Sequence, residues 1–246
     1  MDKVISLQMS LFGTFMNIKL ETEIVIKLLT ALKDNGFVPA SADITSFDLQ
    51  TGKMTVDSRM QMISPDKTWA IVFLPDRIDF NYNYQLGTST FKSIDKLLEY
   101  GNDLVEKVFS VFQATTGNRL ALNCKMALEN MTDGDLKQFC DRFTKPLSAY
   151  NQESYAEWSV RFNARGKVKV SDQIEEECNR IAEMTQIENQ NIIEESTVGL
   201  HRVIISLDIN TMALELEQRF RYENLIYFTN NAKDFIAKVV NEIEKG

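Results

Sequence analysis

A single histidine, His201, stands among the 246 residues. One imidazole excludes multi-histidine metal centres and the His-Glu-x-x-His zinc pattern. A Ser-His-Asp triad would have to use His201, and the chain has no Gly-x-Ser-x-Gly elbow to carry its nucleophile. His201 falls in register with Val203, Ile205 and Leu207, which assigns it to a core or edge position rather than to a ligand set. Cysteine is equally scarce. Cys124, Cys140 and Cys178 are odd in number and far apart, so neither a disulfide framework nor a zinc knuckle is expected. Packed, reduced thiols in a cytoplasmic protein are the expectation.

Proline (4) and glycine (10) are few, which predicts long regular elements joined by short connections. No apolar run approaches the roughly 18 residues of a membrane-spanning helix. The first apolar stretch is interrupted by Ser6, Gln8 and Ser10, unlike a secretory leader. Phosphate loops are missing as well: Gly87-Thr88-Ser89-Thr90-Phe91-Lys92-Ser93 lacks the second glycine of a Walker A loop and reads as a connection into a helix, with Thr90 or Ser93 near its start. The formal charge of −8 repels phosphate backbones at long range and disfavours nucleic acid as a partner. Glu175, Glu176 and Glu177 are consecutive, so they do not converge on one ion and read as a solvated run. No catalytic residue, cofactor or metal site is therefore assigned, and the reading leans away from an enzyme.

What is present is periodicity. Ile5, Leu7, Met9 and Leu11 alternate with polar residues and predict a strand over about 3–13. Ile24, Val25, Leu28, Leu29 and Leu32 have helical spacing, stopped at Asn35-Gly36. A meander follows: Phe47 and Leu49 into a turn at Thr51-Gly52, then Met54–Met62, Trp69–Phe73 and Ile78–Tyr84, with turns at Ser64–Lys67 and Pro75-Asp76. Met54, Met60 and Met62 read as core filling. A helix is expected from about Phe91 to Phe112, with Gly101 on its apolar stripe to permit close approach to the sheet. Beyond Thr116-Gly117-Asn118 the order restarts: a strand around Leu120–Leu128, a helix capped by Thr132 and Asp135 and closed by Pro146, and a strand from Ala156 to a turn at Arg165-Gly166-Lys167. Residues 172–196 fit neither period, a strand runs through His201–Ile209, residues 213–228 stay unassigned, and a last helix covers about 231–244.

These elements predict an α+β fold of two pseudo-repeated β-α-β(3-4)-α halves, residues 1–116 and 117–246, sharing one antiparallel sheet with helices on one face. The element order resembles the saddle of the TATA-binding-protein-like folds. The run Arg202–Thr211 followed by an amphipathic helix, together with Asp76-Arg77-Ile78 before Asn81 and Tyr82, resembles a sporadically distributed family of bacterial proteins of about this length with no established function. That resemblance carries over no functional residue.

With the apolar strand residues facing helices, the other face collects Gln8, Asp57, Arg59, Gln61, Asn81, Asn83, Asn123, Lys125, Glu157, Arg161, Asn163, Arg202, Ser206 and Asp208. Amides and arginines suit specific polar contacts. The expected function is therefore a non-enzymatic interaction or accessory subunit. It would meet a protein partner, or another copy of itself, through Arg59, Asn81, Asn83, Arg161 and Arg202. The alternatives are a saddle-like nucleic-acid binder and a small-ligand binder.

Overall fold

The computed structural model describes residues 3–16, 18, 21–47, 52–85, 91, 93–144, 157–187 and 201–244. Along the first part of the chain run β1 (Lys3–Phe12), α1 (Thr22–Ala31), β2 (Val38–Phe47), β3 (Met54–Ile63), β4 (Trp69–Phe73), β5 (Arg77–Asn83) and α2 (Ile94–Val111). They are followed by β6 (Arg119–Met131), α3 (Asp133–Phe143), β7 (Ser159–Lys169), β8 (Glu175–Ile187), β9 (His201–Thr211) and α4 (Tyr222–Glu244). The fold is α+β. The nine strands make one sheet in the order β2-β3-β4-β5-β1-β6-β9-β8-β7, and every neighbouring pair is antiparallel. No helix among the described residues is long and apolar enough to cross a membrane.

Period-two alternation decides which side chains are buried. Leu7, Met9 and Leu11 of β1 are almost wholly buried, as are Ile78, Phe80 and Tyr82 of β5 and Val203, Ile205 and Leu207 of β9. Against them pack Leu97, Leu98, Leu104, Val105 and Val108 of α2 and Leu225, Phe228, Ala232 and Ile236 of α4. Each of the larger aliphatic and phenylalanine side chains contributes about 1.5–3 kcal/mol of burial. Gly101 sets the height of α2 above the sheet: a Cβ there would lie 2.9 Å from Met9 Cε and 3.0 Å from the Trp69 ring. The helix starts at Ser93, whose hydroxyl accepts from the Lys96 amide, and α3 opens with the expected reciprocal box between Thr132 and Asp135. Between α2 and α4 the buried Thr229 hydroxyl donates to Asn102 Oδ1 at 2.9 Å, and Asn102 Nδ2 donates to Asn230.

Several readings are corrected or completed by the structure. Arg165-Gly166-Lys167 is no turn: β7 runs straight through it, with Gly166 opposite Cys178. Glycine leaves room there for the Arg180 guanidinium, which crosses from β8, 3.0 Å from where a Cβ would stand, and donates to the Lys167 carbonyl. The reversal comes at Ser171–Gln173, where the Ser171 hydroxyl accepts from the Gln173 and Ile174 amides. Within 172–196, β8 is a strand; Arg180 lies between buried Cys178 and Ala182, which breaks the apolar alternation. The last helix begins at Tyr222 rather than near 231, because Asn224, Thr229 and Asn230 carry tertiary or capping hydrogen bonds and blur its stripe. Finally, Met54 is 69% exposed while Met60 and Met62 are buried. β4 pairs with β3 only over Gln61–Ile63, so the far end of the β2–β3 ribbon extends beyond it. Strand β2 itself begins at Val38, well before the expected Phe47, and Leu49, Thr51 and Pro146 lie outside the described residues.

Candidate functional site

The strand register brings the polar positions into rows across the middle of the sheet. Asn81, Gln8, Asn123, Asp208, Ile181 and Asn163 are successive partners on β5, β1, β6, β9, β8 and β7. One step along, Asn83, Ser6, Lys125, Ser206, Glu183 and Arg161 form a parallel row. Between these rows lies a shallow cavity of about 470 Å³, lined by side chains of both. Asn123 Nδ2 donates to Gln8 Oε1 at 3.2 Å, and Arg161 Nε stands 3.9 Å from a Glu183 carboxylate oxygen. Lys125 and Arg161 balance Asp208 and Glu183, so the lining presents amides and paired charge rather than an excess of either sign.

A third row lies deeper. Asp79, Ser10, Ala121, Asn210 and Asn179 are partners on β5, β1, β6, β9 and β8, and the first four are almost wholly buried. Ser10 donates to Asp79 Oδ1 at 2.6 Å and Arg77 Nε donates to Asp79 Oδ2 at 2.9 Å. Asn179 Nδ2 donates to Asn210 Oδ1, and Asn210 Nδ2 donates to Asp208 Oδ1 at 2.7 Å. These two groups of bonds, one on each side of Ala121, tie neighbouring strands together beside the amides of the cavity. Next to it, the Arg77 and Arg119 guanidinium carbons lie 5.7 and 4.8 Å from the centroid of the Phe12 ring.

Of the residues singled out from the sequence, Asn81, Asn83 and Arg161 meet at the cavity. Arg59 and Arg202 do not line it. Arg59 sits on β3, opposite Ala42, and Arg202 at the start of β9, opposite Ile187. Ser6, Ile181 and Glu183 belong to the lining and were not singled out; the two β8 residues lie in the segment whose periodicity was unreadable. The His201 side chain lies outside the described residues; its backbone pairs with Met131.

All three cysteines are buried and free, and burial pushes the Cys124 thiol up to about 12, which leaves almost no thiolate at neutral pH. Burial likewise raises the Cys178 thiol, against the opposing charge of Arg180. Within the acidic run, Glu176 is held by a two-pronged ion pair with Arg219, at 3.2 and 3.0 Å. That pairing refines the expectation of a solvated run. Among the described residues no three His, Cys, Asp or Glu side chains are grouped to hold a metal ion. No family model and no curated protein matches the chain.

Proposed function

We propose that the central polar face of the sheet is a protein-recognition surface, and that the chain is a non-enzymatic accessory or regulatory subunit acting through it. The observation that carries this reading is the cavity between the two rows: side chains from β5, β1, β6, β9, β8 and β7 converge on one concavity rich in amides and balanced in charge. Amides donate and accept equally well, which suits a polypeptide surface with its alternating N–H and C=O groups. The strand order supports a saddle of two related halves, 1–116 and 117–246. The first strand of each, β1 and β6, meet at the centre, and the last strand of each, β5 and β9, flanks its own first strand. In that arrangement the helices gather on the apolar face and leave the polar face open.

Nucleic acid fits this surface less well. Phosphate binding needs a cationic excess, and single strands need exposed aromatic rings. Here the charges cancel, and Phe80 and Tyr82 are buried on the opposite side.

The test places an arginine at the centre of the concavity. Asn123→Arg fills the space beside Gln8 and adds an unmatched charge. Wild-type chain immobilised in an extract of its own cells is expected to retain a defined protein. The variant should retain it about tenfold less or worse, the loss typical of disturbing a central contact. Thermal unfolding should shift little, since half-exposed polar positions change stability by about 0.5 kcal/mol. Equal retention by the variant, or retention of nuclease-sensitive material by the wild type, overturns the reading.

A further inference from the structure

The two edges of the sheet differ in chemistry. At one end β7 carries Arg161, Arg165, Lys167 and Lys169, all exposed, along eleven residues. Such a row of cations keeps a whole edge from pairing with its own copy, where a lone proline removes a single donor. At the other end β2, ten residues long, reads Val-Pro-Ala-Ser-Ala-Asp-Ile-Thr-Ser-Phe and carries one charge, Asp43. It pairs with β3 on one side and, among the described residues, ends the sheet on the other.

Backbone geometry shows which groups of β2 face outward. Pro39 has no N–H, so a proline in a strand turns its nitrogen to the open edge. Alternation then turns the backbone groups of Ser41 and Asp43 the same way. The Ser41 carbonyl accepts from the Gln61 side chain at 3.0 Å, as a carbonyl with spare capacity does. Beside this edge lies apolar surface. Met54 and Val56 of β3 are 69% and 64% exposed, on the side of the sheet that buries Met60 and Met62. Helix α1 packs on β2 and α2, and turns Ile26 (57% exposed) and Leu29 outward.

We infer that β2 pairs, antiparallel, with β2 of a second copy of this chain, joining two nine-stranded sheets into one. The occupant follows from charge and closure. A β2–β2 contact is self-complementary and nearly uncharged, so it closes after two copies. A β7–β7 contact sets like charges face to face, and a β2–β7 contact does not close. The size also fits. Ten residues at about 3.3 Å make an edge roughly 33 Å long, and sheet and helix layers about 10 Å deep each bring the contact to about 650 Å² per copy. Standard stable interfaces bury roughly 800 Å² per partner. The two-fold axis of antiparallel strands in one sheet is perpendicular to the sheet. Both polar faces would therefore point the same way, and one dimer would present two copies of the central concavity.

Sedimentation velocity on the full chain across the micromolar range tests this. Wild type is expected to dimerise. Ser41→Pro removes an outward N–H without removing a bond to β3 and should sediment as a monomer. Met54→Lys/Val56→Lys changes two exposed side chains that the fold does not need, and should weaken the dimer about a hundredfold, the effect of charges set into a small apolar contact. Arg165→Glu, on the opposite edge and outside the lining of the concavity, should leave association unchanged. A wild type that is monomeric throughout, a dimer that survives Met54→Lys/Val56→Lys, or a dimer lost in Arg165→Glu overturns the inference. None of these outcomes depends on what the polar face binds.

Discussion

Replacing Gly117 by valine is expected to lower stability by about 4 kcal/mol or more, which for a chain of this size is a drop of about 10 °C in melting temperature. The reason is space. A Cβ on Gly117 would stand 2.3 Å from the Phe12 carbonyl oxygen and 2.5 Å from Leu11 Cδ1. Neither neighbour can give way cheaply. The Phe12 carbonyl accepts from the Asn118 amide at 2.8 Å, the first bond holding the chain beside β1 as β6 begins. Gly117 itself donates to the Phe220 carbonyl at 2.7 Å, and its own carbonyl accepts from the Phe220 amide. Three segments distant in sequence therefore meet at one backbone position: the end of β1, the start of β6 and the approach to α4. Relief of the clash must part β1 from β6 at the centre of the sheet or release the root of α4. Gly117→Ala should lose most of the same stability, since the Cβ alone creates the collision. A melting temperature for Gly117→Val within a degree or two of wild type would show that the join is looser than the distances imply.

Asp79→Ala is the second large effect, expected to cost about 2–3 kcal/mol by urea unfolding with the slope unchanged. Asp79 is 3% exposed, yet it sits on the polar side of β5. Its two oxygens accept from Ser10 at 2.6 Å and Arg77 at 2.9 Å, and the alanine variant leaves a buried hydroxyl and a guanidinium edge without their acceptor. Removing one member of a fully buried pair costs more, about 3–5 kcal/mol. The Arg77 side chain is 34% exposed, so water recovers part of the loss. Asp79→Asn keeps an acceptor for Ser10 and gives up the charge, and should cost roughly half as much by the same reasoning. A loss below about 0.5 kcal/mol for Asp79→Ala, the range of an ordinary surface change, would mean that these buried bonds add nothing to the rigidity of the site beside them.

The α+β class and the antiparallel sheet were legible because period two reports a strand's faces from its own residues. Leu7, Met9 and Leu11 alternate with Gln8 and Ser10 whatever lies beside them, and the same holds for β5, β6 and β9. Thr132 with Asp135 announced α3, and Gly101 announced a close approach of α2 to the sheet, which the structure places over Met9 and Trp69. The misreadings fall where tertiary contacts override local pattern. Gly166 has a turn residue's composition but serves to admit Arg180. The asparagines of α4 resemble a loop until their partners, Val170 and Asn102, are in place. Met54 alternates like a core residue, yet no β4 strand lies beside it. For the site, the sequence named the face and not the order of strands across it. Asn81, Asn83 and Arg161 meet because β5, β1, β6, β9, β8 and β7 are neighbours in that order. Arg59 and Arg202 share the face but stand away from the concavity, and nothing local to either residue distinguishes them. Asp79 alternates like an exposed acid, and its burial depends on Ser10 and Arg77 from neighbouring positions.

The most direct test of the polar face is site-specific photo-crosslinking in living cells. A photoreactive amino acid is placed in turn at Asn83 and Asn163, both exposed on that face, and at Glu99, exposed on α2. If the face recognises a protein, illumination joins the chain to the same discrete protein from Asn83 and from Asn163, the Glu99 position does not trap it, and Asn123→Arg abolishes the adduct. Adducts that form equally from Glu99, that vanish on nuclease treatment, or that persist in Asn123→Arg would contradict a protein-recognition role for this surface.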